Sequence, residues 1–170
     1  MSHIIKFSAQ EWNAMKELQG HDKYPYMRIY RNLITITNKK VVYIKNLKKD
    51  VTDTPLYIHR SHMAKMLGDT FVRIKISDKG VWIRYMERSP VKVKDANTKV
   101  KFPKIKKLKI REKKQSDESI TFHISKSVLQ TLLNCTTNQL TITAHSDTRV
   151  ARWESGNAYG YFSQLKISED

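Results

Sequence analysis

The sequence predicts an α+β protein in which a unit of strand, short helix and three strands recurs, forming antiparallel sheets with helices on one face. Three observations carry that expectation. In SITFHISKSVLQTLLNCTTNQLTITAHSDTRVARW, residues 119–153, the hydrophobic period changes from two to helical and back to two. The same change of period occurs at the N-terminus and again from about residue 56, so units begin near residues 4, 56 and 120. Each helical run is short and follows a residue suited to capping a helix.

In the first unit, Ile5 and Phe7 alternate around Lys6 as on a half-buried strand. Ser8 and Glu11 form the S-x-x-E pattern of a capping box, and Trp12, Met15 and Leu18 then fall on one helical side before Gly20. YMRIYR, LITIT and VVYIKN read as three strands, the last two joined by a short turn at Asn38 and Lys39. In the second unit Leu56 and Ile58 alternate, Ser61 is placed to cap, and Met63, Met66 and Leu67 share a helical face that ends at Gly68. TFVRIKISDKGVWIRYM follows as a hairpin turning at Ser77-Asp78-Lys79-Gly80, with VKVK at 91–94 as its third strand. In the third unit Ile120 and Phe122 alternate and Ser125 or Ser127 caps. A helix runs to about Asn134, with Val128, Leu129, Leu132 and Leu133 at helical spacing. QLTITA, TRVARW and AYGYFSQLKI complete it. The domains expected are 1–95, built of two units, and 96–170, a basic segment plus the third unit.

The charge narrows the function. Thirty-two Lys and Arg against 16 Asp and Glu leave +16, an excess that costs self-repulsion and points to a polyanionic partner, nucleic acid first. Residues 99–114 concentrate it, with nine Lys or Arg opposed only by Glu112. Val100, Phe102, Ile105, Leu108 and Ile110 interleave there, which reads as one or two basic edge strands. No apolar run reaches the roughly 18 residues of a membrane span, so no membrane partner is expected. The N-terminus lacks the apolar core of a signal peptide, and the single Cys135 excludes an intramolecular disulfide. Both fit an intracellular, reducing location.

Catalytic chemistry is not evident. With five glycines there is neither a P-loop nor a G-x-G-x-x-G pattern to cradle phosphates. His59 and His62 stand three apart with no Cys, Asp or Glu cluster beside them, so no metal or other cofactor is expected. Cys135 lacks a Cys-His signature and reads as a small apolar residue at a helix end. The chain is expected to bind rather than to react.

Strand, short helix and three strands, repeated, resembles the building unit of the DNA sliding clamps, the superfamily of the proliferating cell nuclear antigen and the bacterial β-clamp. PLYIHRSHMAKMLGDTFVRIKISDKGVWIRY and NQLTITAHSDTRVARWESGNAYGYFSQLKI carry the resemblance. Where the family's last unit has proline-containing strands, this chain has TRVARWE and YFSQLKI. A clamp subunit usually has four or six units. Either the basic segment 91–114 is a helix-less fourth unit, or the chain is a shortened relative, a style that suits a virus or phage.

The resemblance implies a homo-oligomeric ring around double-stranded DNA that tethers a DNA polymerase or another replication protein. In clamps the helices line the channel and their cations meet phosphates without reading bases, which makes Lys16, Arg60, Lys65 and Lys126 channel candidates. On a clamp-type third unit, Leu129 and Leu132 are expected against the sheet, with Lys126 and Gln130 outward to the channel. The basic segment, with Lys101, Lys104, Lys106, Lys107, Lys109 and Arg111, is expected to add DNA contacts. Partners of clamps dock near the closing segment, where Phe162, Leu165 and Ile167 lie. Two alternatives stand beside this one: a regulator or inhibitor that binds a host replication protein, and a plain basic nucleic-acid-binding protein in which Trp12, Trp82 or Trp153 provides stacking platforms.

Overall fold

A computed structural model of the chain describes residues 2–19, 24–38, 40–68, 70–86, 88–98, 100, 102, 124–136, 139–144 and 150–163. The elements run β1 (Ser2–Ser8), α1 (Ala9–Leu18), β2 (Tyr26–Tyr30), β3 (Leu33–Thr37), β4 (Val41–Asn46), β5 (Leu56–His59), a 3-10 turn (Arg60–His62), β6 (Phe71–Ser77), β7 (Gly80–Tyr85) and β8 (Val91–Lys92). They continue with α2 (Lys126–Cys135), β9 (Thr141–Thr143), β10 (Val150–Ser155) and β11 (Ala158–Ser163). The α+β class is therefore as the periodicity indicates, and the strand, helix and three-strand order is complete in the first unit. The strand expected around Ile120 and Phe122 lies outside the described residues, as does most of the basic segment.

Pairing ties the units together. A four-stranded sheet has the order β1-β6-β7-β8 and a seven-stranded sheet the order β5-β2-β3-β4-β11-β10-β9, every pair antiparallel. The first two units thus exchange their leading strands. β1 leaves its own unit to pair with β6, setting Ile5 opposite Ile74 and Phe7 opposite Val72, while β5 pairs with β2. All four of those apolar side chains are buried, so a one-residue slip of β1 would turn both of its own outward. One core cluster joins the inner faces of both sheets to Trp12, Met15 and Leu18 of α1 and Val128 and Leu132 of α2. Ser8 caps α1 by accepting from the Glu11 N–H at 3.2 Å, and Ser125 caps α2 through the Val128 N–H at 3.2 Å.

The second unit departs from expectation. Its helix is reduced to the 3-10 turn, capped by His59 rather than Ser61, since the His59 ring accepts from the Ser61 N–H. Met63 is buried as expected, but Leu67 is 81% exposed. The physical reason is competition for the backbone. The Tyr85 hydroxyl donates to the His62 carbonyl and accepts from the Ala64 N–H. The Trp12 indole donates to the Ala64 carbonyl, and the Asn13 side chain both donates to the Met66 carbonyl and accepts from its N–H. Side chains from elsewhere satisfy the groups that helical hydrogen bonds would otherwise use, so the segment stays extended against α1.

The third unit joins the first through β4 and β11. Gly160 stands opposite Tyr43, and an added Cβ there would fall 1.7 Å from the Val42 carbonyl oxygen and 2.7 Å from the Trp153 indole nitrogen. That indole donates to the same carbonyl at 3.1 Å from a fully buried position. Glycine is required here for close approach rather than for an unusual backbone angle. Gly160→Ala is therefore expected to lower stability by about 1–3 kcal/mol or more through overpacking, whereas Gly156→Ala meets no neighbour and bears only the strain of its positive φ. Denaturant melts of the two variants check this; equal stability of Gly160→Ala and the parent would refute the close approach.

Candidate nucleic-acid interface

Among the described residues, two surfaces carry cations that could meet phosphate. The first is the helix layer. α1 and α2 pack against each other, and the 64–66 segment is fastened to α1 by the Trp12 and Asn13 bonds. Lys16, Lys65 and Lys126 therefore belong to one layer, with Lys65 and Lys126 exposed and Lys16 half-buried in the last turn of α1. Arg60 sits half-buried in the 3-10 turn, its N–H bonded to the Pro25 carbonyl. The layer is not densely basic. Glu17 is exposed on α1, and Leu67, Leu129 and Leu133 add apolar surface. Lys101, Lys104, Lys106, Lys107, Lys109, Arg111, Leu165 and Ile167 lie outside the described residues. Phe162 is buried on β11 within the main core, which gives its ring a packing role.

On α2 the buried stripe is Val128, Leu132 and Cys135, while Leu129 is 36% and Leu133 49% exposed. The expectation that Leu129 packs on the sheet is thus corrected. Helical spacing puts positions 128, 132 and 135 in line on the buried face, and Leu129 falls about 100° from Val128. Lys126 and Gln130 are exposed.

Under this layer sits a charged group with its own partners. The Glu11 carboxylate accepts from the Tyr43 hydroxyl at 2.7 Å and from the Lys45 ammonium at 2.6 Å, and Lys45 lies 5.1 Å from the centre of the Phe7 ring. Burial, reinforced by the Glu11 charge, pushes the Tyr43 hydroxyl well above its usual range, so it remains a donor. Glu11 is thereby committed to the core and leaves the helix layer less acidic than its sequence suggests. Burial raises the Cys135 thiol to about 12, with Glu11 and Glu17 adding to the effect, so it is a poor nucleophile.

The second surface is the outer face of the four-stranded sheet, which was not singled out from the sequence. Strand alternation sends Lys6 of β1, Arg73 and Lys75 of β6, Arg84 of β7 and Lys92 of β8 to this side, all exposed. Lys6 is directly opposite Arg73, and Arg73 directly opposite Arg84, so three cations line up across three strands. A second row sets Ile4, Lys75, Trp82 and Lys92 in sequence across the sheet. The signal was present as alternate cations in FVRIKIS, but it is legible only once β1 is known to pair with β6.

Among the described residues no group of three or more His, Cys, Asp and Glu is placed to hold a metal. The His59 ring nitrogen facing Ser61 is occupied by the cap, and burial followed by the neighbouring His62 and Arg60 charges lowers its pKa. Among the described residues no helix is long and apolar enough to cross a membrane.

These sheets and helices have the sliding-clamp fold. A DNA polymerase sliding clamp from Pseudomonas aeruginosa aligns with a TM-score of 0.58 at 9% identity, over 96% of this chain and 67% of the clamp. A β-clamp from Helicobacter pylori gives 0.56 at 11% identity, over 98% of this chain and 64% of the clamp. The DNA polymerase III β subunit of Thermotoga maritima gives 0.57 at 8% identity, over 98% and 65%. The chain thus spans about two thirds of the length of these clamps. Its sequence matches no protein-family model and no curated protein.

The orientation of α2 decides whether Lys126 faces outward from the helix layer. Leu132→Ala is expected to cost about 2–5 kcal/mol through a cavity, and Leu129→Ala only a small fraction of that. Lys126→Ala should leave the melt nearly unchanged. Thermal melts of the three variants check it; a Leu129 variant that unfolds as readily as the Leu132 variant would place the helix in the other phase.

Proposed function

We propose that this protein is a non-enzymatic, clamp-like processivity factor that encircles or tracks duplex DNA and tethers a replication protein such as a polymerase. The observation that carries the reading is the fold shared with the sliding clamps over nearly the whole chain. The net charge of +16 supports it independently, because clamp-type contact with DNA is electrostatic and blind to sequence. On this reading residues 1–95 act as one clamp-like domain and 96–170 as a second, completed in part by the basic segment.

Lys16, Arg60, Lys65 and Lys126 would contact phosphates from the helix layer. They are few, and the larger share falls to Lys101, Lys104, Lys106, Lys107, Lys109 and Arg111. A partner would dock at the closing segment through Leu165 and Ile167, with Phe162 supporting it from the core. Ring closure requires copies of the chain to join, and β8 and β9, which are sheet edges among the described residues, are candidates for that contact. The helix layer then faces one enclosed duplex.

If the charge neutralises phosphates, affinity for duplex DNA should fall log-linearly and steeply with salt and depend little on sequence. Replacing Lys104, Lys106, Lys107 and Lys109 by Gln should flatten that slope and weaken binding while leaving the melt within about 0.5 kcal/mol per surface site. Fluorescence anisotropy across a salt series, with a sedimentation mass measured alongside, tests the reading. A protein that stays monomeric on circular duplex, or that discriminates strongly between sites, would exclude a sequence-independent ring.

A further inference from the structure

We propose that the outer face of the four-stranded sheet is a binding platform for single-stranded nucleic acid, separate from the duplex contacts assigned to the helix layer. The face is built from β1, β6, β7 and β8, and its cations are Lys6, Arg73, Lys75, Arg84 and Lys92. No acidic residue alternates onto it among the described residues. Adjacent strands are about 4.8 Å apart, so Lys6, Arg73 and Arg84 stand in an almost straight row at that spacing. Like charges directly opposite across strands destabilise a sheet. A row of three with no carboxylate beside it among the described residues therefore marks a surface that an anion completes.

The choice of a single strand over a duplex or an acidic peptide comes from what lies between the cations. Phe71 is 52% and Met86 61% exposed, and the two close the Arg73–Arg84 pair into one shallow depression. In the neighbouring row Trp82 is partly exposed, with the Lys92 ammonium 5.7 Å from its ring centre and Ile4 exposed at the far end. A duplex offers phosphates while its bases stay stacked inside, where exposed rings on a protein surface cannot stack on them. An acidic peptide offers charge but nothing that requires rings. A single strand presents phosphates and unstacked base faces together, which matches cations alternating with aromatic and apolar groups.

Trp82 reports on the site without a label. Trp12 and Trp153 are fully buried, so of the three tryptophans only Trp82 is open to a stacked base or a soluble quencher. The experiment titrates the full chain with a 20-nucleotide oligothymidylate at fixed salt, reading tryptophan fluorescence and, in parallel, anisotropy of a labelled copy. Quenching is expected, together with loss of iodide access to Trp82. R73Q/R84Q should weaken binding at least tenfold while leaving retention on circular duplex unchanged. Both arginines are exposed and removing them relieves like-charge repulsion, so the melt should not fall. W82F should abolish the fluorescence change and weaken anisotropy-detected binding several-fold.

The proposal is overturned if the oligonucleotide leaves Trp82 fluorescence unchanged, or if R73Q/R84Q binds as tightly as the parent. It is equally overturned if polyglutamate or a 20-base-pair duplex displaces the oligonucleotide as well as a second single strand does. Because circular-duplex retention is read separately, loss of that property alone would sink the clamp reading and leave this one standing.

Discussion

Backbone pairing between segments far apart in sequence is the constraint on which the molecule depends. β1 reaches past three strands of its own unit to pair with β6, β5 returns to β2, and β11 closes onto β4. Each join is held by what its side chains bury. Ile5 and Phe7 cannot reach the core unless β1 sits in its register with β6, and Trp153 cannot donate to the Val42 carbonyl unless Gly160 lets the strands close. The helices follow from this. α1 buries Trp12, Met15 and Leu18 against a surface that exists only after the strands have exchanged.

Much of that was legible in the sequence because local chemistry and tertiary packing agree. The Ser8 and Ser125 caps, the alternation in YMRIYR and LITIT, and the Ser77-Asp78-Lys79-Gly80 hairpin all depend on neighbours within a few residues. The second unit's helix failed for the opposite reason. Its periodic Met63, Met66 and Leu67 look helical, but the groups that decide the matter are Asn13 and Tyr85, one about 50 residues before and the other about 20 after. On α2, Leu129 and Leu132 are both apolar, so periodicity alone does not separate the buried one from the exposed one; packing of the helix on the core does. For the candidate interface, helix placement in the sequence is enough to point to Lys16 and Lys126. The row of Lys6, Arg73 and Arg84 required knowing which strands are neighbours, and period alone does not reveal that.

The placement of charge has an energetic logic. Glu11, which would weaken any anion-binding layer, is drawn into bonds with Tyr43 and Lys45, two residues of β4. Removing one member of such a half-buried set is costly because the other is left uncompensated. The same contact that pins α1 to the sheet therefore also takes a carboxylate off the surface. On the outer sheet face no such neutralisation occurs among the described residues, and the repulsion stays in the folded state. Two basic surfaces on one small chain thus differ in kind: one thinly charged and partly apolar, the other a strand-ordered array.

The junction of β4 and β11 has a consequence for how the protein is made. The paired residues are more than a hundred positions apart, as Tyr43 and Gly160 are. During synthesis at about 5–20 residues per second, β4 would wait several seconds for its partner, its backbone edge open to other chains. Val42 and Ile44, buried with Tyr161 in the finished protein, would be uncovered during that interval. A nascent chain stopped near residue 125 should then be more prone to associate than the full-length product, a difference that pelleting of stalled ribosome complexes measures. The late arrival of one glycine strand would govern the yield of soluble protein as much as its final stability does.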